Sequence, residues 1–174
     1  MRLPGFAGSP IQVQYLKAPR VLRRKLHSGP GPGVEVHAAS FIRERRIVLD
    51  AELLKQPAEH GRILAHELFH FVWVRLGNAW RRSWAALLRA ELRSRVRGEL
   101  GWSAELAKSR LRPGDAETGH VRFRRYASES FCDTAAWVYG RAGRHPEHTL
   151  VAGWRAKRRA WFANLLKQAP ELRV

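Results

Sequence analysis

The sequence predicts an α+β fold, a small sheet followed by a mostly helical part. Apolar and polar residues alternate within the first 50 residues, as they do in half-buried strands. From Pro57 onward the apolar spacing becomes that of helices. The two kinds of element occupy separate stretches of chain, which is the α+β arrangement. At 174 residues the chain is long enough for one domain with a proper core, with residues 1–50 mainly strands and 57–174 mainly helices.

In chain order, "IQVQYL" (11–16) alternates as a strand, and "HSGPGPG" (27–33) is a loop by composition. "VEVHAASFI" and "RIVLD" read as neighbouring strands with "RERR" as the turn between them. Pro57 suits a first helical turn, where its missing N–H costs nothing, and Glu59 complements the dipole there. Arg75 and Gly77 mark the far end, giving a helix near 57–76. Further helices are expected within 81–100 and 103–111, a break at 112–120, and a short helix over 126–140. A loop at 143–148 precedes a last amphipathic helix, 151–168.

The bulk composition narrows the class. With 45% hydrophobic residues and seven Trp, the chain is a folder rather than a disordered tail. The single Cys132 excludes an internal disulfide framework and points to a reducing compartment. The start, "MRLPGFAGSPIQVQYL", lacks the pattern of a secretory signal, and no apolar run reaches the length of a transmembrane segment. The expectation is a soluble, cytoplasmic protein. A formal charge of +17, mostly Arg and scattered along the chain, implies weak non-specific attraction to nucleic acid or an anionic surface.

The chemistry centres on "HELFH", residues 66–70. On a helix His66 and His70 stand one turn apart on the same face, so both imidazoles reach one point. Zinc takes imidazole nitrogen, and such a pair supplies two of the three protein ligands of a catalytic zinc ion. Glu67, beside that face, is placed to act as general base toward water activated by the metal. The helix is apolar nearly all round, and buried His and Glu side chains without partners would cost several kcal/mol. A metal meets that need.

A third ligand has many candidates downstream: Glu91, Glu99, Glu105, Asp115, Glu117, His120, Glu129, Asp133, His145, Glu147 and His148. Glu91, Glu99 and Glu105 alternate with Arg and Lys and read as surface ion pairs; Asp115 and Glu117 read as exposed. Glu129 and Asp133 lie one turn apart in the apolar "ESFCDTAAWVYG", where unpaired carboxylates would repel one another and be costly to desolvate. Glu129 as third ligand, with Asp133 accepting a hydrogen bond from a ligand histidine, resolves both. Cys132 reads as a small core residue.

"HELFH" followed by "ESFCD" resembles the zincin metallopeptidases, specifically the gluzincin branch with its HExxH and later ExxxD motifs. The resemblance covers these motifs and the order of elements. It implies a zincin-like fold, one catalytic zinc held by His66, His70 and Glu129, Glu67 as general base, Asp133 behind a ligand, and hydrolysis of a peptide or protein substrate. It also implies an edge strand aligning the substrate, a place that "RIVLD" occupies in the sequence. Tyr126, Tyr139, His120 and His148 are the candidates for stabilising the oxyanion. Two other readings remain open: a nucleic-acid-associated protease similar in idea to the SprT-like enzymes, with His120 as third ligand, and a zinc-binding regulatory domain with little turnover.

Overall fold

The computed structural model describes residues 3–23, 25–140 and 143–174. It is α+β, with small sheets formed mainly by the N-terminal third and helices from Pro57 onward. Strand β1 (Gly5–Ala7) pairs in parallel with β8 (Glu171–Arg173), joining the two ends of the chain, a pairing that three-residue segments do not advertise. β3 (Arg20–Leu22) carries β4 (Lys25–His27) and β5 (Val34–Glu35) on its two sides, both antiparallel.

The sheet that matters for the site runs β2-β7-β6. β2 (Gln12–Leu16) is parallel to β7 (Arg46–Asp50), and β6 (Ala38–Phe41) is antiparallel to it. The sequence suggests an edge position for "RIVLD", but this segment is the central strand. Its Ile47, Val48 and Leu49 are buried, as a continuous apolar run between two partners requires. Chain order placed β7 next to the helix without fixing its lateral neighbours. The edge strands are β2 and β6, and β6 is the one that touches Glu67 through Ser40.

A 3₁₀ turn (Ala51–Lys55), capped by the Asp50 carboxylate at the Glu52 N–H, leads into α1 (Pro57–Arg75). Then follow α2 (Asn78–Arg93), α3 (Trp102–Ser109), the short α4 (Asp115–Thr118), α5 (Val121–Tyr139) and α6 (Ala152–Gln168). α5 begins before the expected 126, because the His120 ring accepts the Arg122 N–H at 3.3 Å. From there Phe123 and Tyr126 extend the buried face at helical spacing. No described helix is long and apolar enough to cross a membrane.

Packing of α1 on α5 builds the core. Phe69 stacks on Tyr139 with centroids 5.4 Å apart, and Phe131 stacks on Phe162 at 5.0 Å. Trp84 of α2 donates its indole N–H to the Ala127 carbonyl at 3.0 Å. Burying each large apolar side chain is worth about 1.5–3 kcal/mol. Gly140 lets the end of α5 approach α1, since a Cβ there would stand 2.7 Å from Arg62 Cα.

A charged network lies inside this apolar frame. Arg158 of α6 is 0% exposed and donates to both Glu91 (Nε to Oε1, 2.9 Å) and Glu99 (Nη1 to Oε2, 2.7 Å), each likewise 0% exposed. Burial would raise the Glu99 pKa, but Arg158 outweighs it and holds the carboxyl below its usual range. Glu91 and Glu99 are therefore not surface ion pairs. Their shared partner lies far along the chain, beyond the reach of local pattern. Asp115 is buried too, and is held by Arg122 at 2.7 Å and by the Arg112 N–H at 2.8 Å.

Candidate metal centre

α1 and α5 each present an i, i+4 pair to the other: His66 and His70 from one, Glu129 and Asp133 from the other. His66 Nε2 and His70 Nε2 lie 3.1 Å apart. Glu129 Oε2 stands 3.5 Å from the first and 3.8 Å from the second. Ligands at 2.0–2.1 Å from a tetrahedral ion are separated by about 3.3 Å, so these three atoms are spaced as one face of such a shell.

The far nitrogen of each ring is also engaged. His66 Nδ1 is 2.7 Å from Asp133 Oδ1, while Asp133 Oδ2 accepts the Ala104 N–H at 2.8 Å from the first turn of α3. Gly101 makes this possible, because a Cβ there would fall 2.3–2.5 Å from the Asp133 carboxylate atoms. His70 Nδ1 touches Cys132 Sγ at 3.4 Å. With the Nδ1 atoms held from behind, both Nε2 atoms face Glu129.

Electrostatics favour a cation at this point. Burial opposes charge on His66, but the charge and hydrogen bond of Asp133, aided by Glu129, hold its pKa well above the usual histidine range. Burial and the neighbouring His66 lower the pKa of His70. Burial would raise the Glu129 pKa; its hydrogen bond to His66 and the charges of both histidines lower it instead. Two imidazoles and one carboxylate form a donor set able to hold a divalent metal ion.

His66, His70 and Cys132 also have ligand atoms within 4.8 Å of one another. Cys132 lies close to His70 through Nδ1, the nitrogen that points away from Glu129. Burial, reinforced by the nearby carboxylates, pushes its thiol well above the usual range. Cys132 thus meets His70 on the side of the ring away from Glu129.

Glu67 lies on the floor of an adjoining cleft of about 640 Å³, together with His66. Ser40 of β6 donates its hydroxyl to Glu67 Oε2, fixing the carboxylate to the sheet edge. Val36, His37 and Ala38 form one wall, and Trp102, 63% exposed, stands at the rim with Ser103. Arg125, one turn before Glu129, lines the same cleft. Ser40, Trp102 and Arg125 carry no signal in the sequence, because only the packing of β6, α3 and α5 around α1 brings them to Glu67.

None of the four oxyanion candidates lines this cleft. Tyr126 is buried and donates its hydroxyl to Glu99. Tyr139 packs between Phe69 and Phe162, where burial pushes its phenol up to about 12. His120 is exposed at the start of α5, 3.5 Å from Asp115. His148 lies tilted against His145, with ring centroids 5.3 Å apart, and lines a separate hollow with Trp137. No protein-family model, curated protein or solved structure matches this chain.

Proposed function

We propose that this chain is a zinc-dependent metallopeptidase of gluzincin type on a zincin-like fold. His66, His70 and Glu129 would hold the zinc ion, Glu67 would serve as general base, and Asp133 would orient His66. The observation that carries the reading is the triangle of Nε2, Nε2 and Oε2 atoms, 3.1–3.8 Å on its sides, beside a cleft floored by Glu67. When bound, zinc supplies Lewis acidity toward water and toward the peptide carbonyl.

The residues of the chain divide the remaining work. Glu67, with Oε2 occupied by Ser40, takes a proton from water at its other oxygen as the water oxygen adds to the carbonyl carbon. It then returns that proton to the amide nitrogen as the C–N bond breaks. Asp133 keeps His66 in the Nδ1–H tautomer, leaving Nε2 as the donor to metal. The free edge of β6 supports binding of an extended peptide by strand addition, the role the sequence had suggested for "RIVLD". His120, exposed and held at the start of α5, does not support the SprT-like ligand set.

Metal content and turnover of a quenched fluorescent peptide library test this reading. The parent binds one zinc per chain and cleaves. Glu67→Gln keeps the metal and loses turnover by about 10²–10⁴-fold. Glu129→Ala loses the metal, whereas Cys132→Ala keeps it. Full zinc occupancy in Glu129→Ala would overturn the ligand assignment, and undiminished cleavage by Glu67→Gln would overturn the mechanism.

A further inference from the structure

On the flank of α2 lies a groove of about 350 Å³ that holds none of the candidate metal ligands. Arg81, Arg82 and Arg89 of α2 line it, facing Arg124 of α5, with Trp73 and Phe123 in its lining. None of these four arginines forms an ion pair with a carboxylate among the described residues. Their guanidinium groups are held in other ways. Arg81 donates to the Val74 carbonyl at 2.7 Å, Arg89 to the Ala116 carbonyl at 2.7 Å, and Arg124 to the Gly119 carbonyl at 3.1 Å. Arg89 lies over the Phe123 ring at 4.9 Å and Arg81 over Trp73 at 6.0 Å.

This mode of anchoring has a consequence for charge. Carbonyl oxygens and ring faces fix a guanidinium in place without cancelling its unit charge, as a carboxylate would. The groove is therefore both strongly positive and ordered before any ligand arrives. The Nε–H of Arg81 is buried with no acceptor among the described residues, a donor that a ligand oxygen would satisfy. Arg81 and Arg89 are separated by roughly 12 Å along the helix at 1.5 Å per residue. That length is more than a single phosphate would use and lets the groove follow several phosphates of a strand.

We propose that this groove binds single-stranded nucleic acid, its arginines taking the phosphates and the guanidinium planes offering faces on which bases stack. An acidic peptide would satisfy the charge but has no planar group to match those layered faces. Arg124 lines the groove, while the next residue, Arg125, lines the cleft at Glu67 on another face of α5. The groove stands whatever the metal centre does.

Fluorescence polarisation of the full chain with a labelled oligothymidylate tests the proposal. The strand would be on the order of 20 nucleotides, longer than the ~4–16 that one site covers. The variant Arg82→Ala/Arg124→Ala removes two exposed groove arginines; Lys17→Ala/Arg43→Ala removes the same charge from the strand region. We expect about tenfold weaker binding in the groove variant and less than twofold change in the control. The salt dependence of binding should fall by about 1.4 in slope only for the groove variant, at ~0.7 per phosphate contact. Equal weakening in both variants, or none in either, overturns the site in favour of diffuse charge attraction. Displacement of the strand by inorganic phosphate at millimolar concentration, or by polyglutamate as readily as by unlabelled oligothymidylate, also overturns it.

Discussion

Gly101→Ala is the most informative substitution, because it reaches the proposed zinc only through two intermediaries. A Cβ at residue 101 would stand 2.3–2.5 Å from the carboxylate atoms of Asp133, against about 3.4 Å for ordinary contact. The carboxylate must therefore retreat by about 1 Å, since the surrounding core is closely packed. Asp133 Oδ1 now lies 2.7 Å from His66 Nδ1, and that retreat would take it to about 3.7 Å, outside hydrogen-bond range. Loss of such a partner behind a metal-bound histidine lowers metal affinity by about 10–100-fold, or about 1.4–2.7 kcal/mol. Competition against a chromophoric zinc chelator measures the affinity, and a circular-dichroism melt confirms folding. Asp133→Ala should cost a similar factor, and adding Gly101→Ala to it should change affinity by less than about threefold, because the clashing carboxylate is gone. A folded Gly101→Ala protein that keeps parental affinity, or losses that multiply in the double variant, would refute the reasoning.

Arg158→Met should destabilise the fold by about 3–5 kcal/mol, because it strands the fully buried Glu91 and Glu99; a loss below about 1 kcal/mol in urea denaturation would show that they do not depend on Arg158. Ser40→Ala should lower peptide turnover about fivefold with little change in KM, the worth of about one hydrogen bond of roughly 1 kcal/mol to Glu67; a purely KM effect would contradict a role in holding the base. Asp115 has its pKa drawn down to about 2, chiefly by its hydrogen bond to Arg122. Its ionised form is the one that stabilises the fold, so this contribution is intact above about pH 4 and disappears as pH falls through about 2. Acid titration of stability in Asp115→Asn should lack that segment of the curve, and an unchanged curve would dismiss the pair.

The residues of the candidate centre were legible because each pair is local. His66 with His70, and Glu129 with Asp133, share helical faces through spacing alone, and apolar company marked both faces as buried. The structure brings the two pairs together with Nδ1 of His66 on Asp133, the contact expected of a carboxylate behind a histidine. Tyr126 shows where the same logic failed. It lies one turn before Glu129 along the chain, yet its hydroxyl serves Glu99 in the buried Arg158 network. Glu91 and Glu99 looked solvated because their sequence neighbours are basic, while the cation that holds them comes from α6.

The sequence by itself determined the class of fold, the helical positions of the histidine and carboxylate pairs, and the donor chemistry those pairs offer. These properties follow from periodicity within single helices, where 3.6 residues per turn decides which side chains are neighbours. Tertiary structure alone decided that β7 is central, with β6 at the edge beside the site, and that Ser40 holds Glu67. It also decided that Gly101 admits Asp133, and that four arginines from two helices line one groove. Each of these depends on the lateral order of strands or the approach of separate helices. Such distances are set by packing across tens of residues, and no local spacing encodes them.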